Sequence, residues 1–155
     1  MKKIYFDMDG TIADFYGVEG WLNYLNEGNP FPYATARPLV NMQRLARRLN
    51  LLKKAGYEVC ILSWLSKTST PEFDELVIEA KREWLGRHLA SVEFDEIHIV
   101  AYGTPKHSIG EGILFDDEAH NREGWGEGPP FATGKKESIR RTFVSIVSTG
   151  ASLSL

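Results

Sequence analysis

The chain has 155 residues, of which 43% are hydrophobic and 25% are charged, which is typical of one soluble globular domain with its own core. The formal net charge of −3 argues against a general attraction to nucleic acid or to an anionic membrane. No apolar run is long enough for a membrane span, and the apolar N-terminus stops at Asp7, too early for a signal peptide. The single cysteine, Cys60, fits a reducing compartment, so the sequence predicts a cytoplasmic protein without a membrane partner.

Short apolar runs alternate with helical patterns along the chain. The apolar runs predict strands over residues 2–6, 57–62, 96–101, 112–115 and 130–133. Helices are predicted over residues 18–26, 38–55, 70–88 and 136–147. Gly56 is expected to end the second helix, and Pro71 to lie in the first turn of the third. Strands separated by long helices indicate a parallel sheet with crossover connections, in a single domain spanning residues 1–155.

Polar side chains follow the predicted strands. They are Asp7 and Asp9 after the first strand, Ser63 after the second, Lys106 in the loop after the third, and Asp116, Asp117 and Asn121 after the fourth. Because the carboxyl ends of parallel strands meet at one edge of an open sheet, we expect these side chains to lie close together. Each of them alone has an ordinary explanation, such as a turn, a helix cap or a solvated surface group. Their combination is what predicts a functional site.

The combination has a specific chemical meaning, because carboxylates repel one another in a cleft of low dielectric constant. A divalent cation between them removes that repulsion, and Mg²⁺ prefers oxygen ligands with open positions for water and phosphate. A lysine beside the cation offsets the charge of a phosphoryl group, and a hydroxyl donates a hydrogen bond to it. The residues therefore predict a site for Mg²⁺ and a phosphoryl group.

The same residues resemble the four motifs of the haloacid dehalogenase-like (HAD) superfamily of hydrolases. Phe6-Asp7-Met8-Asp9-Gly10-Thr11 is similar to motif one, and Ser63 follows an apolar strand as motif two does. Lys106 lies where motif three falls, and Asp116-Asp117 with Asn121 resembles motif four. The resemblance implies a three-layer, Rossmann-like α/β fold with a central parallel sheet. It also implies a small cap insertion after the first strand, at about residues 14–38, which we call the cap segment.

The resemblance implies a role for each motif residue. Asp7 is implied to attack phosphorus and form an aspartyl-phosphate, while Asp9 protonates the leaving oxygen and then activates water. An acid at Asp9 favours a phosphatase, because the dehalogenases lack it and the transport ATPases carry Thr there. Asp116 is implied to be either a metal ligand or the partner of Lys106. The implied catalytic set is Asp7, Asp9, Ser63 and Lys106, and the implied Mg²⁺ ligands are Asp7, the main-chain carbonyl of Asp9, Asp117 and Asp116.

A narrower resemblance concerns the substrate. The run from Asp7 to Phe15, DMDGTIADF, is similar to the opening of the 5'(3')-deoxyribonucleotidases, and so are Lys81-Arg82-Glu83-Trp84-Leu85 and Ile97-His98-Ile99-Val100. This resemblance implies a nucleoside monophosphate substrate, with Phe15 stacked on its base or sugar and Lys67 in contact with its phosphate. Motif two of that group reads Thr-Ser, where this chain has Ser63-Trp64. The predicted substrate contacts are Gly10, Thr11, Phe15, Trp64, Lys67 and Asn121, the last through metal-bound water.

Two other functions stay open on the sequence alone. The cap segment is shorter than the helical cap of the nucleotidases, and an open site suits a phosphatase that acts on a polynucleotide end, although the sequence has no concentrated basic groove. A phospho-accepting switch or binding protein also combines Asp, paired acids, Ser and Lys on a parallel sheet. In receiver domains, however, the paired acids come first and the phosphoacceptor lies on the third strand. The oligomeric state, monomer or homodimer, also stays open.

Overall fold

The computed structural model describes residues 2–125 and the backbone of residues 131–132, with a parallel β-sheet at the centre. The strands are β1 (Lys2–Phe6), β2 (Ala13–Asp14), β3 (Arg37–Pro38), β4 (Tyr57–Trp64), β5 (Glu96–Val100), β6 (Ile113–Asp116) and β7 (Phe131–Ala132). The helices are α1 (Trp21–Asn26), α2 (Phe31–Thr35), α3 (Met42–Lys54), α4 (Pro71–His88) and α5 (Ala119–Glu123). The central sheet has the strand order β5-β4-β1-β6-β7, with every pairing parallel. The predicted α/β fold with a central parallel sheet is confirmed.

Local sequence signals determine where the two long helices begin and end. The Asn41 side chain accepts a hydrogen bond from the backbone N–H of Arg44 at 2.9 Å and caps α3. The Thr70 hydroxyl accepts one from the N–H of Phe73 at 3.2 Å and caps α4. Each such cap contributes about 1 kcal/mol to helix stability. Gly56 follows α3 with φ of +89°, a conformation that residues with a side chain rarely adopt, so it ends the helix as predicted.

The largest described core lies between the sheet and the two long helices. Ile4 and Phe6 of β1 pack there with Leu49 of α3 and Trp84 of α4. The rings of Phe6 and Phe115 stack with centroids 4.7 Å apart, which joins β1 to β6. Burial of each of these side chains contributes roughly 1.5–3 kcal/mol, so this core holds the strand ends at fixed positions. The other face of the sheet carries a second cluster of Tyr5, Cys60, Leu62, Leu114 and Trp125.

The cap segment is a small aromatic structure between β1 and α3. It is closed by the antiparallel pairing of β2 with β3. Phe15 and Tyr33 stack inside it with centroids 4.6 Å apart, and Trp21 packs on Phe15 at 5.4 Å. The Trp84 indole of α4 donates a hydrogen bond to the Ala36 carbonyl at 2.8 Å. The end of the cap segment is therefore fixed to the same helix that packs against the sheet.

Several element boundaries differ from the sequence prediction. The helix predicted from residue 38 begins at Met42, because Arg37 and Pro38 pair in β3 and Asn41 provides the cap. α1 begins at Trp21 rather than near residue 18, after Gly20 with φ of +72°. β4 continues through Trp64, so Ser63 belongs to the strand. The helix predicted over residues 136–147 lies outside the described residues, and of the strand predicted at residues 130–133 only β7 is described.

Among the helices that the structure describes, none combines the length and the apolar character that crossing a bilayer requires.

Candidate active site

Asp7 follows β1 directly and lies at the carboxyl edge of the sheet. Its backbone N–H donates to the Phe115 carbonyl at 2.9 Å, which continues the pairing of β1 with β6. The chain then turns at Gly10, which has φ of +81° and donates its N–H to the Ala13 carbonyl at 2.8 Å. A Cβ at Gly10 would lie 2.4 Å from Asp117 Oδ2. Glycine therefore supplies both the backbone conformation and the space that bring Asp7 and Asp117 together.

Three carboxylates and one ammonium group meet at this edge. Asp7, Asp116 and Asp117 each have an oxygen within 4.8 Å of the others. Lys106 Nζ lies 3.0 Å from Asp7 Oδ1 and 2.5 Å from Asp116 Oδ2, and the lysine is only 2% exposed. A single buried cation does not balance three carboxylates, so the cluster has a surplus of negative charge.

Burial and the surplus charge together change the pKa values of the cluster. Burial, followed by the Asp7 and Asp116 carboxylates, raises the pKa of Asp117 to about 7. Burial and Asp7 also raise the pKa of Asp116, against the opposing effect of Lys106. Burial lowers the pKa of Lys106, whereas the Asp7 and Asp116 carboxylates raise it by more. The pKa of Lys106 therefore lies above its usual value. A cation among these oxygens would relieve the repulsion, and carboxylate oxygens are suitable ligands for Mg²⁺. The residues therefore fit a magnesium ion.

Asp116 and Asp117 differ in how many protein donors their carboxylates meet. Asp116 Oδ2 accepts hydrogen bonds from Lys106 and, at 3.1 Å, from Asn121 Nδ2, and Oδ1 accepts from the N–H of Glu118 at 2.9 Å. Among the described residues, the Asp117 carboxylate receives a long contact from the Thr11 hydroxyl at 3.4 Å and one from its own backbone N–H. Of the two roles that the sequence allowed for Asp116, this arrangement favours the partner of Lys106, and it leaves Asp117 oxygens open to a cation. The contact of Asn121 with Asp116 was not predicted from the sequence.

Thr11 joins the two acidic loops, and Arg122 holds the backbone of the second one. The Thr11 hydroxyl is buried, accepts from the backbone N–H of Asp117 at 3.2 Å and lies 3.4 Å from Asp7 Oδ2. Arg122 donates through Nη1 to the carbonyls of Asp116 at 2.9 Å and Asp117 at 2.7 Å. These contacts fix the backbone of the acidic pair without using the carboxylates.

A second buried lysine, Lys81, lies beside Asp9. Its Nζ donates to Asp9 Oδ2 at 2.7 Å, to the Ser63 hydroxyl at 2.9 Å and to the Trp64 carbonyl at 2.7 Å. The residue is only 1% exposed. Burial raises the pKa of Asp9, and the Lys81 ammonium, the next largest effect, lowers it. Lys81 therefore fixes the orientation of Asp9 and brings a second positive charge to the site.

The sequence interpretation included Lys81 only in the run that resembles the nucleotidases and gave it no role at the site. The helical periodicity of the sequence does indicate that Lys81 is buried. Lys81 falls four residues after Val77 and four before Leu85, within the buried stripe of α4. A lysine in the apolar stripe of a helix needs a partner in the interior, because an isolated buried charge is costly. The sequence does not reveal which strand end supplies that partner.

A cavity of about 350 Å³ extends from Asp7 and Asp9 to the cap segment. The predicted site residues that line it are Asp7, Asp9, Phe15, Trp64, Lys67, Lys106 and Asn121. Other predicted residues are absent from its described wall, namely Gly10, Thr11, Ser63, Asp116 and Asp117. For Thr11 and Ser63 the reason is burial: the former lies between the acidic loops, and the latter contacts Lys81. The predicted substrate contact of Thr11 and the predicted catalytic role of Ser63 stay predictions.

Most of the remaining cavity wall is apolar or aromatic. The cap segment supplies one set of these side chains, and residues after β4 and β5 supply another. The lining residues that the sequence interpretation did not assign to the site are Tyr16, Trp21, Leu22, Leu25, Tyr33, Leu65, Ser66, Thr68, Tyr102 and Glu118. Tyr16, Trp21 and Tyr33 pack with Phe15 in a small aromatic cluster of the cap segment. The structure shows that they also face the cavity.

No protein-family model matches the sequence, and no curated protein does. Two solved structures are similar in fold. One is D,D-heptose 1,7-bisphosphate phosphatase from Burkholderia thailandensis, with a TM-score of 0.53 and 16% identity over 91% of this chain and 85% of that one. The other is the D,D-heptose 1,7-bisphosphate phosphatase from B. bronchiseptica, complexed with magnesium and phosphate, with a TM-score of 0.53 and 12% identity over 91% of this chain and 87% of that one. The chain thus shares the α/β fold of these two phosphatases, with the central parallel sheet that the motif resemblance implied.

Proposed function

We propose that this protein is a Mg²⁺-dependent phosphatase that hydrolyses a phosphate monoester through an aspartyl-phosphate on Asp7. The observation that carries the proposal is the contact of Asp7 with buried Lys106, beside two further carboxylates, at the wall of a cavity. The solved structures of similar fold are named as phosphatases, one in complex with magnesium and phosphate, which supports this class of reaction. A phospho-accepting switch needs no second acid at Asp9 and no substrate cavity.

In the first half-reaction, an Asp7 carboxylate oxygen forms a bond to phosphorus, and the bond from phosphorus to the leaving oxygen breaks. Asp9 gives its proton to the leaving oxygen, so the product departs as a neutral alcohol. The Lys106 ammonium group lies 3.0 Å from the Asp7 carboxylate, and the Lys81 ammonium group lies 2.7 Å from the Asp9 carboxylate. They hold both carboxylates in position and offset the negative charge of the phosphoryl group.

In the second half-reaction, Asp9 takes a proton from water, and the water oxygen attacks phosphorus. The bond from Asp7 to phosphorus breaks, which regenerates the carboxylate and releases inorganic phosphate. Asp7 and Asp117, with the main-chain carbonyl of Asp9, are the proposed Mg²⁺ ligands. When bound, Mg²⁺ supplies positive charge to the phosphoryl oxygens.

We propose that the substrate is a nucleoside monophosphate. The cavity has a polar end at Asp7 and Lys106 and a wall rich in aromatic side chains, among them Phe15, Trp64 and Tyr102. Aromatic side chains stack on nucleobases with little dependence on base identity. The resemblance of the Asp7–Phe15 run to the deoxyribonucleotidases supports the same substrate class.

Two other substrate classes fit the cavity less well. Within its described wall, Lys67 is the one cation apart from Lys106, and Glu118 adds a carboxylate. A polynucleotide end brings further backbone phosphates, which need a row of cations. A sugar bisphosphate, the substrate class in the names of the two similar structures, brings a second phosphate that Glu118 would repel.

The experiment that tests the function measures phosphate release with Mg²⁺, with and without a chelator. The panel contains nucleoside 5'- and 3'-monophosphates in ribose and deoxyribose forms, 2-deoxyribose 5-phosphate, a heptose 1,7-bisphosphate and a 3'-phosphorylated oligonucleotide. We expect chelator-sensitive release that is fastest with a nucleoside monophosphate, because that substrate fills both ends of the cavity. Fastest release from the oligonucleotide or the bisphosphate would replace the proposed substrate. A complete lack of release with every compound would contradict the enzymatic function.

Phe15→Leu tests base stacking by the cap segment. Leucine keeps most of the volume, so we expect a loss of only about 1 kcal/mol in the free energy of unfolding. Loss of the aromatic face should lower kcat/KM for the preferred nucleoside monophosphate by about tenfold, on the scale of base stacking. The same constant for 2-deoxyribose 5-phosphate should be unchanged, because that compound has no base. An equal loss with both substrates would show that Phe15 acts only through the fold of the cap segment.

A further inference from the structure

The aromatic side chains that line the cavity fall into two groups. Phe15, Tyr16, Trp21 and Tyr33 belong to the cap segment and contact one another through their rings. Trp64 and Tyr102 come from the ends of β4 and β5, and their rings pack against each other with centroids 5.1 Å apart. Within the described part of the chain, no ring contact joins the two groups, although both line the same cavity. The cavity therefore separates them.

The group at the strand ends is held rigidly. The Trp64 indole donates to the Thr104 carbonyl at 2.9 Å. Thr104 in turn donates through its backbone N–H and its hydroxyl to the Ala101 carbonyl, at 3.1 Å and 2.7 Å, and Gly103 provides the positive φ of this turn. Three hydrogen bonds thus order the short loop that carries Tyr102. A side chain on an ordered loop loses little further entropy when it contacts a ligand.

The same group is connected to the reacting end of the cavity. Lys106 Nζ lies 5.2 Å from the centre of the Trp64 ring, within the range of a cation–π contact. Lys106 also contacts Asp7, so the Trp64 ring has a fixed position relative to the attacking carboxylate. Tyr102 extends this aromatic surface toward the opening, where it is 51% exposed. An aromatic ring exposed to this degree at a cavity mouth is available for contact with substrate.

We propose that the Tyr102 ring, supported by Trp64, forms a second aromatic wall of the cavity. This wall contacts the nucleobase of the leaving nucleoside, so Tyr102 is a specificity-determining residue. The base is then held between this wall and the aromatic residues of the cap segment. This inference rests on the proposed phosphatase function with a nucleoside monophosphate, and it adds a contact from the sheet to those expected from the cap segment. Tyr102 discriminates between substrates through its contact with the planar base, whereas the phosphoryl group is bound at Asp7 and Lys106 in every substrate.

The test compares kcat/KM for the nucleoside monophosphate that the wild type hydrolyses fastest with kcat/KM for 2-deoxyribose 5-phosphate. Tyr102→Ala should lower the ratio of the two constants by about tenfold, because it removes a stacking surface from the base alone. Tyr102→Phe keeps the ring and should keep the ratio. Phe31→Ala is the matched control, since Phe31 is an exposed aromatic residue of the cap segment that does not line the described cavity.

The outcomes separate this inference from the proposed function. If the wild type favours the nucleotide and Tyr102→Ala leaves the ratio unchanged, the second wall is wrong and the nucleotidase function stands. An equal loss with both substrates would reduce Tyr102 to a residue that orders the loop beside Lys106, which also overturns the inference. If the wild type shows no preference for the nucleotide over 2-deoxyribose 5-phosphate, base recognition itself is wrong, and the inference fails with it.

Discussion

Replacement of Asp7 by asparagine should reduce phosphate release by about 10⁴-fold or more, the scale seen when a covalent nucleophile is removed. The amide is nearly the same size as the carboxylate but is a very poor nucleophile, so the first half-reaction has no route. Trapping of the aspartyl-phosphate gives a direct measurement of this step. Wild-type protein that is quenched during turnover should carry a phosphoryl group that hydroxylamine removes. The Asp7→Asn variant should carry none.

The same substitution should leave the fold intact. Asp7 is one of three mutually repelling carboxylates, and Lys106 keeps its contact with Asp116 at 2.5 Å when the Asp7 charge is removed. Without Mg²⁺, the melting temperature should therefore stay the same or rise slightly. Asp95→Asn is a suitable control, because Asp95 precedes β5 at the opposite end of the strands and binds Lys53. Its phosphatase activity should match that of the wild type. Normal turnover by Asp7→Asn would exclude Asp7 as the nucleophile.

Lys81→Met should lower kcat/KM by about 10²- to 10³-fold, as when one preorganised donor is removed from an active site. The substitution removes the ammonium group that lies 2.7 Å from Asp9 and 2.9 Å from Ser63. Asp9 then loses its fixed orientation, and the phosphoryl group loses a nearby positive charge. KM should rise because bound substrate loses a positive charge near its phosphoryl group, and kcat should fall because Asp9 loses the orientation that proton transfer in the transition state requires.

The stability of Lys81→Met separates a role at the site from a role in packing. Methionine fills much of the space of the lysine stem and removes the desolvation cost of the ammonium, while Asp9 keeps 19% of its side chain exposed. The free energy of unfolding should therefore fall by less than the roughly 3–5 kcal/mol that removing one partner of a fully buried ion pair costs, and the variant should remain folded. Arg82→Met, on the exposed side of the same helix, is the matched control and should retain full activity. Wild-type kinetics in Lys81→Met would show that Lys81 is a structural ion-pair partner only.

The acidic part of the site follows from the sequence because parallel topology and local turns leave little freedom. Alternating strands and helices require crossover connections, which bring the carboxyl ends of β1 and β6 to one edge. Asp7 follows the first of these strands, Asp116 ends the second, and Gly10 permits the turn that separates Asp7 from β2. The sequence therefore predicts that Asp7, Asp116 and Asp117 gather at this edge.

Other parts of the molecule depend on contacts between distant segments. The start of α3 was misplaced because Arg37 and Pro38 pair with β2, an antiparallel contact that has no signal in either two-residue strand. The extension of β4 through Ser63 and Trp64 follows from its pairing with β5, which continues to Val100. In both cases the partner lies more than twenty residues away, and local propensity does not encode such pairings.

The sequence by itself determined the parallel α/β architecture, the C-terminal end of α3, both ends of α4 and the acidic edge, since each rests on local periodicity, on capping residues or on the direction of the strands. Only the tertiary structure decided the role of Lys81, because the helical period buries this lysine while the packing of α4 selects Asp9 and Ser63 as its partners. The tertiary structure likewise decided that Trp64 and Tyr102 face the cap segment across one cavity. That arrangement depends on the lateral order of β4 and β5 in the sheet, which is set by the burial of whole faces rather than by any single run of residues.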